Sequence, residues 1–385
     1  MMMKKLGFDT DVLTAVGGLE TASEIAQQAD TLKAIAQQMA DEQDKLGAFL
    51  APLLARDDMR IILTGAGTSA FIGESLVPFL AEKMNGRLEA IATTDIVAGE
   101  RLYLDPDQPT LLISFGRSGN SPESVAAIDI VDSCITESYH LAVTCNAEGA
   151  LSRRMEGAAN SYALNLPDAV HDRSFPMTSS FTGMMLAAMF ALIGNEAMQP
   201  RAARIAASAE QLLAQLPTVV PDWAWLDCNR VVYLGSNGFQ GLAREAALKL
   251  LELTDGDVVA VHDTPLGFRH GPKTIITANT LIVLILSNDP YTRRYDLDLL
   301  TELRRDSKAR MVIAMSAQPV DHPSVITIPD MADAADVDLL IPMILFPQIY
   351  AFHRSLQAGK RPDTPNAEGH VNRVVKGVTI HPLAA

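Results

Sequence analysis

The sequence is poor in cysteine, with three in 385 residues. Cys134, Cys145 and Cys228 lie far apart, and no two of them form a CxxC pair. Disulfide frameworks use an even number of cysteines and occur mainly in secreted proteins. The sequence therefore predicts no disulfide framework and favours a reducing, cytoplasmic compartment.

Positive charge and long apolar runs are also scarce. Lysine and arginine number 31 against 46 acidic residues, which gives a formal net charge of -15. Such a chain has no electrostatic attraction to nucleic acids or anionic membranes. Its longest apolar runs, such as FTGMMLAAMFALIG, stay below the roughly 18 residues that a membrane span needs. An anionic small molecule can still bind, because backbone amides and hydroxyl groups can supply a local site.

Motifs for metals and nucleotides are absent from the sequence. It contains no HExxH, no Walker A loop and no GxGxxG with its acidic partner, and its eight histidines show no metal-ligand spacing. These motifs are the usual signs of zinc and nucleotide sites. We therefore expect neither a metal nor a cofactor.

The chain does contain an internal similarity at a fixed offset. The segments RIILTGAGTS and RVVYLGSNGF begin at Arg60 and Arg230, 170 positions apart. TLLISFG and TLIVLIL share that offset, as do HLAVTCN and RMVIAMS. One long offset indicates a duplicated α/β unit rather than a short-period solenoid. The short β-branched runs predict strands at 61–64, 111–114, 141–144, 231–234, 281–286 and 311–315.

Alternation of these strands with helical stretches predicts parallel sheets with crossover helices. The expected fold class is α/β, with two tandem domains that each sandwich a parallel sheet between helices in a flavodoxin-like, three-layer αβα arrangement. Residues 20–55 and 195–222 have helical periodicity, and LPTVVPDW at 216–223 is interpreted as a break between domains. The predicted division is a helical segment at 1–50, a first domain at 51–215 and a second at 216–385.

The stretch SFGRSGNSPES, residues 114–124, lies between a predicted strand and a predicted helix. Ser121 followed by Pro122 fits an N-cap and a first helical position. Amides at such a helix start attract anions. Ser114, Ser118 and Ser121 therefore predict a phosphate site, to which Arg117 either adds one charge-assisted contact or points to water.

The earlier turn TGAGTSAFIGES has the same character. Gly67, Thr68 and Ser69 stand where a helix begins. The alternative for either turn alone is that its polar residues only cap a helix. Two such turns at the ends of adjacent strands favour a phosphate site, since ligands of open α/β sheets bind at the carboxyl ends of strands.

The second half has lost this pattern and carries charged residues instead. In the helical stretch LAREAALKLLEL, Glu245, Lys249 and Glu252 fall near one face. The alternative is a solvated surface stripe with an ion pair four residues apart. His270 follows in the Gly/Pro-rich loop DTPLGFRHGPKT, where a titratable group suits a site, or where it makes only local hydrogen bonds.

Several segments together resemble the sugar isomerase (SIS) family over about residues 50–380. They are GAGTSAFIGES, SFGRSGNSPES, TCNAEGALSR, AREAALKLLEL and GFRHGP. The pair of domains is similar to the isomerase part of glucosamine-6-phosphate synthase. The sequence of the motifs resembles the AgaS branch of the family more closely. That branch is named for tagatose-6-phosphate ketose/aldose isomerase and is linked to galactosamine-6-phosphate deamination.

The resemblance implies roles for particular residues. It implies that Ser69, Ser118 and Ser121 bind the phosphate, and that Arg117 replaces a residue that is commonly Gln. Glu252 resembles the base that moves the proton, as the last member of a Glu–Lys–Glu stripe.

Two further matches complete the implied site. His270 resembles the group that opens the sugar ring, and it can come from a neighbouring subunit, which implies a homodimer or larger homo-oligomer. Lys376 resembles a lysine before the C-terminus; with Lys249 it is a candidate to stabilise oxyanion charge.

The expected function is conversion of galactosamine 6-phosphate to tagatose 6-phosphate and ammonia through an enediol or enolamine. One alternative is a plain aldose–ketose sugar-phosphate isomerase. Another is a non-catalytic sugar-phosphate-binding regulator, although such regulators usually carry a DNA-binding segment that the short, acidic N-terminal part does not resemble.

Overall fold

The structure is a computed structural model that describes residues 4–375 and 377–383. Its strands in chain order are β1 (Lys4–Lys5), β2 (Phe8–Asp9), β3 (Arg60–Thr64), β4 (Leu88–Ala90), β5 (Thr110–Gly116), β6 (Ser138–Thr144), β7 (Ser161–Asn165), β8 (Arg230–Leu234), β9 (Val259–Asp263), β10 (Thr280–Ile285), β11 (Met311–Ser316) and β12 (Val325–Thr327).

Fifteen α-helices are found in the described residues. They are α1 (Thr10–Val16), α2 (Leu19–Ala26), α3 (Gln28–Asp41), α4 (Gln43–Leu54), α5 (Thr68–Leu80), α6 (Thr93–Ala98), α7 (Glu100–Tyr103), α8 (Pro122–Cys134), α9 (Ala150–Met155), α10 (Ser179–Ile193), α11 (Asn195–Ala224), α12 (Gly238–Leu253), α13 (Pro265–Phe268), α14 (Thr292–Asp306) and α15 (Asp336–Gln357). Short 3-10 turns occur at Glu82–Met84, Asp168–Val170 and Pro272–Ile275.

Two five-stranded parallel sheets carry the fold. Their strand orders are β4-β3-β5-β6-β7 and β9-β8-β10-β11-β12, so both have the same arrangement in chain order. The registers also correspond, because Arg60 pairs with Thr110 in the first sheet and Arg230 pairs with Thr280 in the second. The α/β prediction is confirmed, and each predicted strand coincides with an observed one.

Helices cover both faces of each sheet, as the three-layer prediction requires. In the first, α5 and α10 lie on one face, while α6, α8 and α9 pack with the strand residues Ile62, Leu112 and Ala142 on the other. In the second, α12 contacts α15 and the strands β8 and β9, and α13 and α14 pack on the opposite face. The strands are buried on both faces, which is why they read as continuous apolar runs.

The predicted helix at 195–222 is confirmed, and the break expected at 216–223 does not interrupt it. Helix α11 runs from Asn195 to Ala224 and contains both Pro217 and Pro221. Proline removes a backbone hydrogen bond and usually ends or kinks a helix. Here the buried stripe continues past both prolines, and its packing sustains the helix; the stripe residues are Leu212, Leu216, Val220 and Ala224.

The predicted helical stretch 20–55 is confirmed as three consecutive helices, α2, α3 and α4. Pro52 lies inside α4, two residues before its end. Four strands of the two five-stranded sheets were not predicted from the sequence: β4, β7, β9 and β12. Each is partly exposed and lies at the edge of its sheet, so its sequence lacks the apolar run that marks a central strand.

The chain divides into two compact units, each with one five-stranded sheet. The first unit comprises Asp30–Asp172, Ser179–Ala202 and the segment from Val371 onwards. The second comprises the segment up to Ala29, Arg173–Thr178 and Ala203–His370. The division at 50 and 215 stays a prediction. Across the described residues, no helix is both long and apolar enough to cross a membrane.

Candidate active site

The turn after β3 packs the start of α5 tightly against the strand end. Thr68 and Ser69 form the first helical turn and are buried, and Gly67 precedes them with a φ of 55°. A Cβ on Gly65 would lie 2.6 Å from the carbonyl carbon of Ser69. Only glycine fits there, so the short-spaced glycines bring the helix N-terminus to the carboxyl end of the sheet.

The turn after β5 ends in the predicted cap. Ser121 Oγ accepts a hydrogen bond of 3.3 Å from the Ser124 amide, and Pro122 occupies the first helical position of α8. Ser121 Oγ also lies 2.6 Å from Ser124 Oγ. The capping interpretation of Ser121 is therefore confirmed, and a phosphate role would come in addition to it.

Residues after β6 hold this turn in place. Asn146 Nδ2 donates to the Ser118 carbonyl at 2.8 Å, and Thr144 Oγ1 donates to the Gly116 carbonyl at 2.6 Å. Asn120 Oδ1 accepts from the Ala150 amide at 2.9 Å. Sequence reasoning assigned no role to Asn146, although it lies in TCNAEGALSR, one of the segments that carry the family resemblance. Side chains at the end of the neighbouring strand thus hold the backbone of the turn in a fixed conformation.

Arg117 is buried, with 6% of its surface exposed. Its Nη2 donates to the carbonyl oxygen of Arg373 at 2.8 Å. The interpretation that Arg117 points to water is wrong, because the guanidinium lies inside the first unit. Its contact with a phosphate stays a prediction.

Ser114 belongs to a row of buried hydroxyl groups at the ends of neighbouring strands. Ser114 Oγ, Thr64 Oγ1 and Thr93 Oγ1 are each buried without a hydrogen-bond partner in the part of the chain that the structure describes. Thr64 and Ser114 are register partners, and the Thr93 amide donates to the Gly65 carbonyl at 2.8 Å. Sequence reasoning named only Ser114, because Thr64 and Thr93 read as ordinary strand-end and helix-start residues.

The charged residues of α12 are inside the second unit. Glu245 and Lys249 have no exposed side-chain surface, and Lys249 Nζ lies 3.4 Å from Glu245 Oε1. Lys249 also donates to Glu252 Oε2, and the Glu252 side chain is 22% exposed. The solvated-stripe alternative is therefore wrong. One buried ammonium is shared by two carboxylates, of which only Glu252 reaches solvent.

This arrangement can support proton transfer by a carboxylate. Glu252 lies at the end of α12 with 22% of its side chain exposed, so a substrate can reach its carboxylate. Glu245 lies deeper in the protein, so its negative charge balances Lys249 there.

His270 is exposed in a loop that is held firmly on both sides. Thr264 Oγ1 caps the preceding helix α13 by accepting from the Gly267 amide at 3.0 Å. Arg269 donates to Glu302 at 2.9 Å, and Lys273 donates to Glu302 and, at 2.6 Å, to Asp306. Sequence reasoning missed these ion pairs, because the partners are about 30 positions away on α14.

The corresponding turn of the second half is occupied by the chain's own carboxylates. Asp336 accepts from Ser287 Oγ and from the Asn288 amide at 2.7 Å. Asp296 accepts from Ser236 Oγ at 2.6 Å and from the Ser287 amide at 3.0 Å. Burial raises the pKa of Asp296 to about 6, although these donors act in the opposite direction. The donors of this turn therefore already have anionic partners.

Lys376 lies outside the described residues. Among the residues that are described, no group of three or more His, Cys, Asp or Glu side chains could hold a metal ion.

Comparison with known proteins identifies close relatives over most of the chain. The SIS domain family matches residues 53–194. D-galactosamine-6-phosphate deaminase AgaS of Escherichia coli is 47% identical over 348 residues, which cover 88% of this chain and 90% of that protein. The protein of the same name from Shewanella sp. is 42% identical over 374 residues, which cover 96% of this chain and 94% of that one.

A solved structure agrees with these relatives. The crystal structure of tagatose-6-phosphate ketose/aldose isomerase from Escherichia coli matches with a TM-score of 0.88 and 42% identity. The match covers 96% of this chain and 98% of that one.

Proposed function

The chain belongs to the AgaS family of SIS-domain proteins, and we propose that it converts galactosamine 6-phosphate and water to tagatose 6-phosphate and ammonia. The observation that carries this proposal is the Glu252 carboxylate, which is partly exposed at the end of a buried helix and bonded to the fully buried Lys249. A regulator that only binds its ligand has no need of such a buried charge arrangement. The names of the relatives supply the substrate.

The reaction begins with ring opening. His270 moves a proton between O5 and O1 of the sugar, which yields the open aldehyde. Glu252 then removes the proton from C2 and returns it at C1, through an enolamine. Lys376 stabilises the negative charge that develops on oxygen. Lys249 has no exposed side-chain surface, so it acts through its bond to Glu252.

Proton return at C1 leaves an imine at C2. Water adds to this carbon, the C–N bond breaks, and ammonia leaves with the proton that water supplied. The products are the ketose phosphate and ammonia, with no oxidation or reduction. Plain isomerisation of a sugar with a C2 hydroxyl would use the same proton transfer and stop at the ketose.

The phosphate is bound by the turns of the first unit. Ser69, Ser118 and Ser121 donate hydroxyl groups, with amides near Gly67 and Thr68 at the start of α5 as further donors. Ser114 is buried in β5 and Glu245 is buried beside Lys249, so we assign these two a supporting role rather than contact with the substrate.

The second candidate function is aldose–ketose isomerisation without deamination. The name of the solved Escherichia coli structure favours it. Either reaction requires an enzyme that binds a phosphorylated hexose or hexosamine.

Product analysis tests the proposal directly. The protein is incubated with galactosamine 6-phosphate, and ammonia and tagatose 6-phosphate are measured over time. The two products should form in equal amounts. Tagatose 6-phosphate exchange with an aldose phosphate, without ammonia from any hexosamine phosphate, would select the isomerase instead. If neither reaction is detected, the protein only binds its ligand and is not an enzyme of this kind.

Substitution of the base tests the residue assignment. Glu252→Gln should lower kcat about 1,000-fold or more, since it removes the general base, while the affinity for inorganic phosphate stays within about threefold. The matched control is Glu148→Gln, at an exposed glutamate paired with Arg153, which should keep normal turnover. Wild-type kcat in Glu252→Gln would contradict the assignment.

The same proposal includes a homodimer or larger homo-oligomer in the cytoplasm. The exposure of His270 supports it, because an exposed ring can serve a neighbouring subunit. Sedimentation of the purified protein measures its oligomeric state.

A further inference from the structure

Arg117 places a cation inside a phosphate-binding turn that otherwise consists of small and hydroxyl side chains. The family that the sequence resembles commonly has glutamine at this position. Burial of a guanidinium is costly unless its donors find partners. One partner of Arg117 is a backbone carbonyl far along the chain, that of Arg373, at 2.8 Å.

Arg373 makes a second connection from the same C-terminal segment. Its guanidinium donates to the carbonyl oxygen of Asp172, just before α10. Arg117 and Arg373 together therefore attach residues 371–375 at two points, and both points lie within the first unit.

Asp172 is itself a fixed point. It has no exposed surface, and its carboxylate accepts from the hydroxyl groups of Ser179 at 2.8 Å and Ser180 at 2.5 Å. It also accepts from the Ser180 amide at 2.9 Å, which caps the start of α10. A segment bonded to this residue is thereby tied to a rigid helix end.

The pKa of a neighbouring histidine is consistent with Arg117 and Arg373 lying close together. His171 is half-buried, and its pKa is lowered by burial, by Arg373 and by Arg117. The segment thus brings a second positive charge near the phosphate turn.

We infer that Arg117 is a positioning residue that anchors the C-terminal segment 371–375 to the phosphate turn. An arginine suits this task better than glutamine, because its planar group has five N–H donors and a longer reach. The carbonyl of Arg373 is available whatever side chain stands at 373, so Arg117 provides an attachment that does not depend on that side chain. The effect on turnover rests on the proposed function, in which Lys376, three positions after Arg373 in the sequence, takes part.

Trypsin cleavage after Arg373 reports on this attachment without any turnover. In the wild-type protein the bond is protected, because the Arg373 side chain and carbonyl are both engaged. Arg117→Gln should accelerate this cleavage about tenfold, as expected for loss of a hydrogen bond to a charged group. Cleavage after Arg101, whose side chain is 72% exposed, is the internal reference and should not change.

Binding, kinetics and two further variants complete the test. In Arg117→Gln the affinity for inorganic phosphate should stay within about threefold, and kcat for galactosamine 6-phosphate should fall by a larger factor than KM rises. Arg117→Lys, which keeps the charge and a donor, should restore part of the protection. Arg153→Gln, at an exposed arginine, is the matched control and should resemble the wild type.

Two outcomes would overturn the inference. A tenfold loss of phosphate affinity with unchanged cleavage after Arg373 would make Arg117 a phosphate ligand instead. No change in cleavage, in a variant whose circular dichroism matches the wild type, would show that the segment is held without it. If Arg117→Gln does not fold, Arg117→Lys decides between the same outcomes. Faster cleavage in a protein inactive toward galactosamine 6-phosphate would defeat the proposed function and keep this inference.

Discussion

The turns after β5 and β10 occupy the same place in two sheets of the same strand order. They differ in whether carboxylates of the chain itself accept hydrogen bonds from the turn. After β5, the turn presents serines and helix-start amides; Ser118 Oγ accepts from the Asn120 amide at 3.2 Å, and the Ser118 carbonyl accepts from Asn146. After β10, Asp296 and Asp336 take up the corresponding donors. The comparison shows that the chain's own carboxylates fill the turn after β10, and it supports the proposal that the turn after β5 receives the phosphate of a ligand.

The helices that follow the first strand of each sheet differ as well. Gly65 and Gly235 allow the same close approach, and Gly67 and Asn237 have nearly the same φ, 55° and 53°. The backbone is therefore alike, but α12 buries Glu245 and Lys249, whereas α5 has Ser75 and Phe79 at the positions 170 residues earlier. The two halves share backbone geometry and differ in their buried charges.

The largest expected effect on stability concerns the buried charges of α12. Lys249→Met leaves Glu245 with an uncompensated buried charge, and the free energy of unfolding should fall by about 3–5 kcal/mol. Urea unfolding at pH 7 measures it. The control is Lys273→Met: this lysine also pairs with two carboxylates, but it is 22% exposed, and the loss there should not exceed about 1 kcal/mol. Equal losses would show that burial does not distinguish the two lysines.

The next effect concerns the carboxylates that fill the second turn. The folded protein raises the pKa of Asp296 from 3.8 to about 6, so folding favours the protonated form. Its contribution to stability is therefore greatest below pH 3.8 and is lost as the pH rises through 6. The difference in free energy of unfolding between wild type and Asp296→Asn should fall by about 2–3 kcal/mol between pH 3.5 and pH 7.

Unfolding titrations of both proteins at several pH values measure this difference. The subtraction removes the contributions of all other titrating groups, as long as they are the same in both proteins. A difference that is flat from pH 3.5 to pH 7 would mean that Asp296 ionises normally in the fold.

The smallest effect separates the two turns by a single hydroxyl group. Ser118→Ala should raise KM for the sugar phosphate about tenfold with kcat within threefold, because it removes a hydrogen bond to a charged group. Ser287→Ala, in the other turn, should leave KM within twofold and lower stability, since Asp336 loses a donor. Steady-state kinetics and urea unfolding of both variants provide the measurements. A higher KM in Ser287→Ala would erase the distinction between the turns.

Much of the fold could be predicted because its signals are local. Six central strands follow from apolar runs, and the cap at Ser121 follows from a serine–proline pair. The periodicity of 195–222 predicted helix α11, but its continuation past Pro217 and Pro221 could not be predicted, because only the packing of the residues between and around them overrides the stop that the prolines signal. The edge strands were not predicted, because half-exposed strands lack the continuous apolar run that marks a central strand.

The candidate site divides in the same way. The turns that contain Ser69 and Ser118, and the triad of Glu245, Lys249 and Glu252, could be named from residue types and spacing alone. Spacing could not tell a buried triad from a solvated stripe, since i and i+4 neighbours look alike on either face of a helix. Arg117 was the least predictable, because its partner Arg373 is 256 positions away.

The sequence by itself determined the strand pattern, the strand-end turns, the helix cap and the family, because hydrogen bonding and periodicity act over a few residues. Tertiary structure alone decided which charges are buried, which turn is filled by the chain's own carboxylates, and what Arg117 holds. Burial and charge pairing depend on groups that are distant in the sequence, and their free energies appear only when folding removes water from around them.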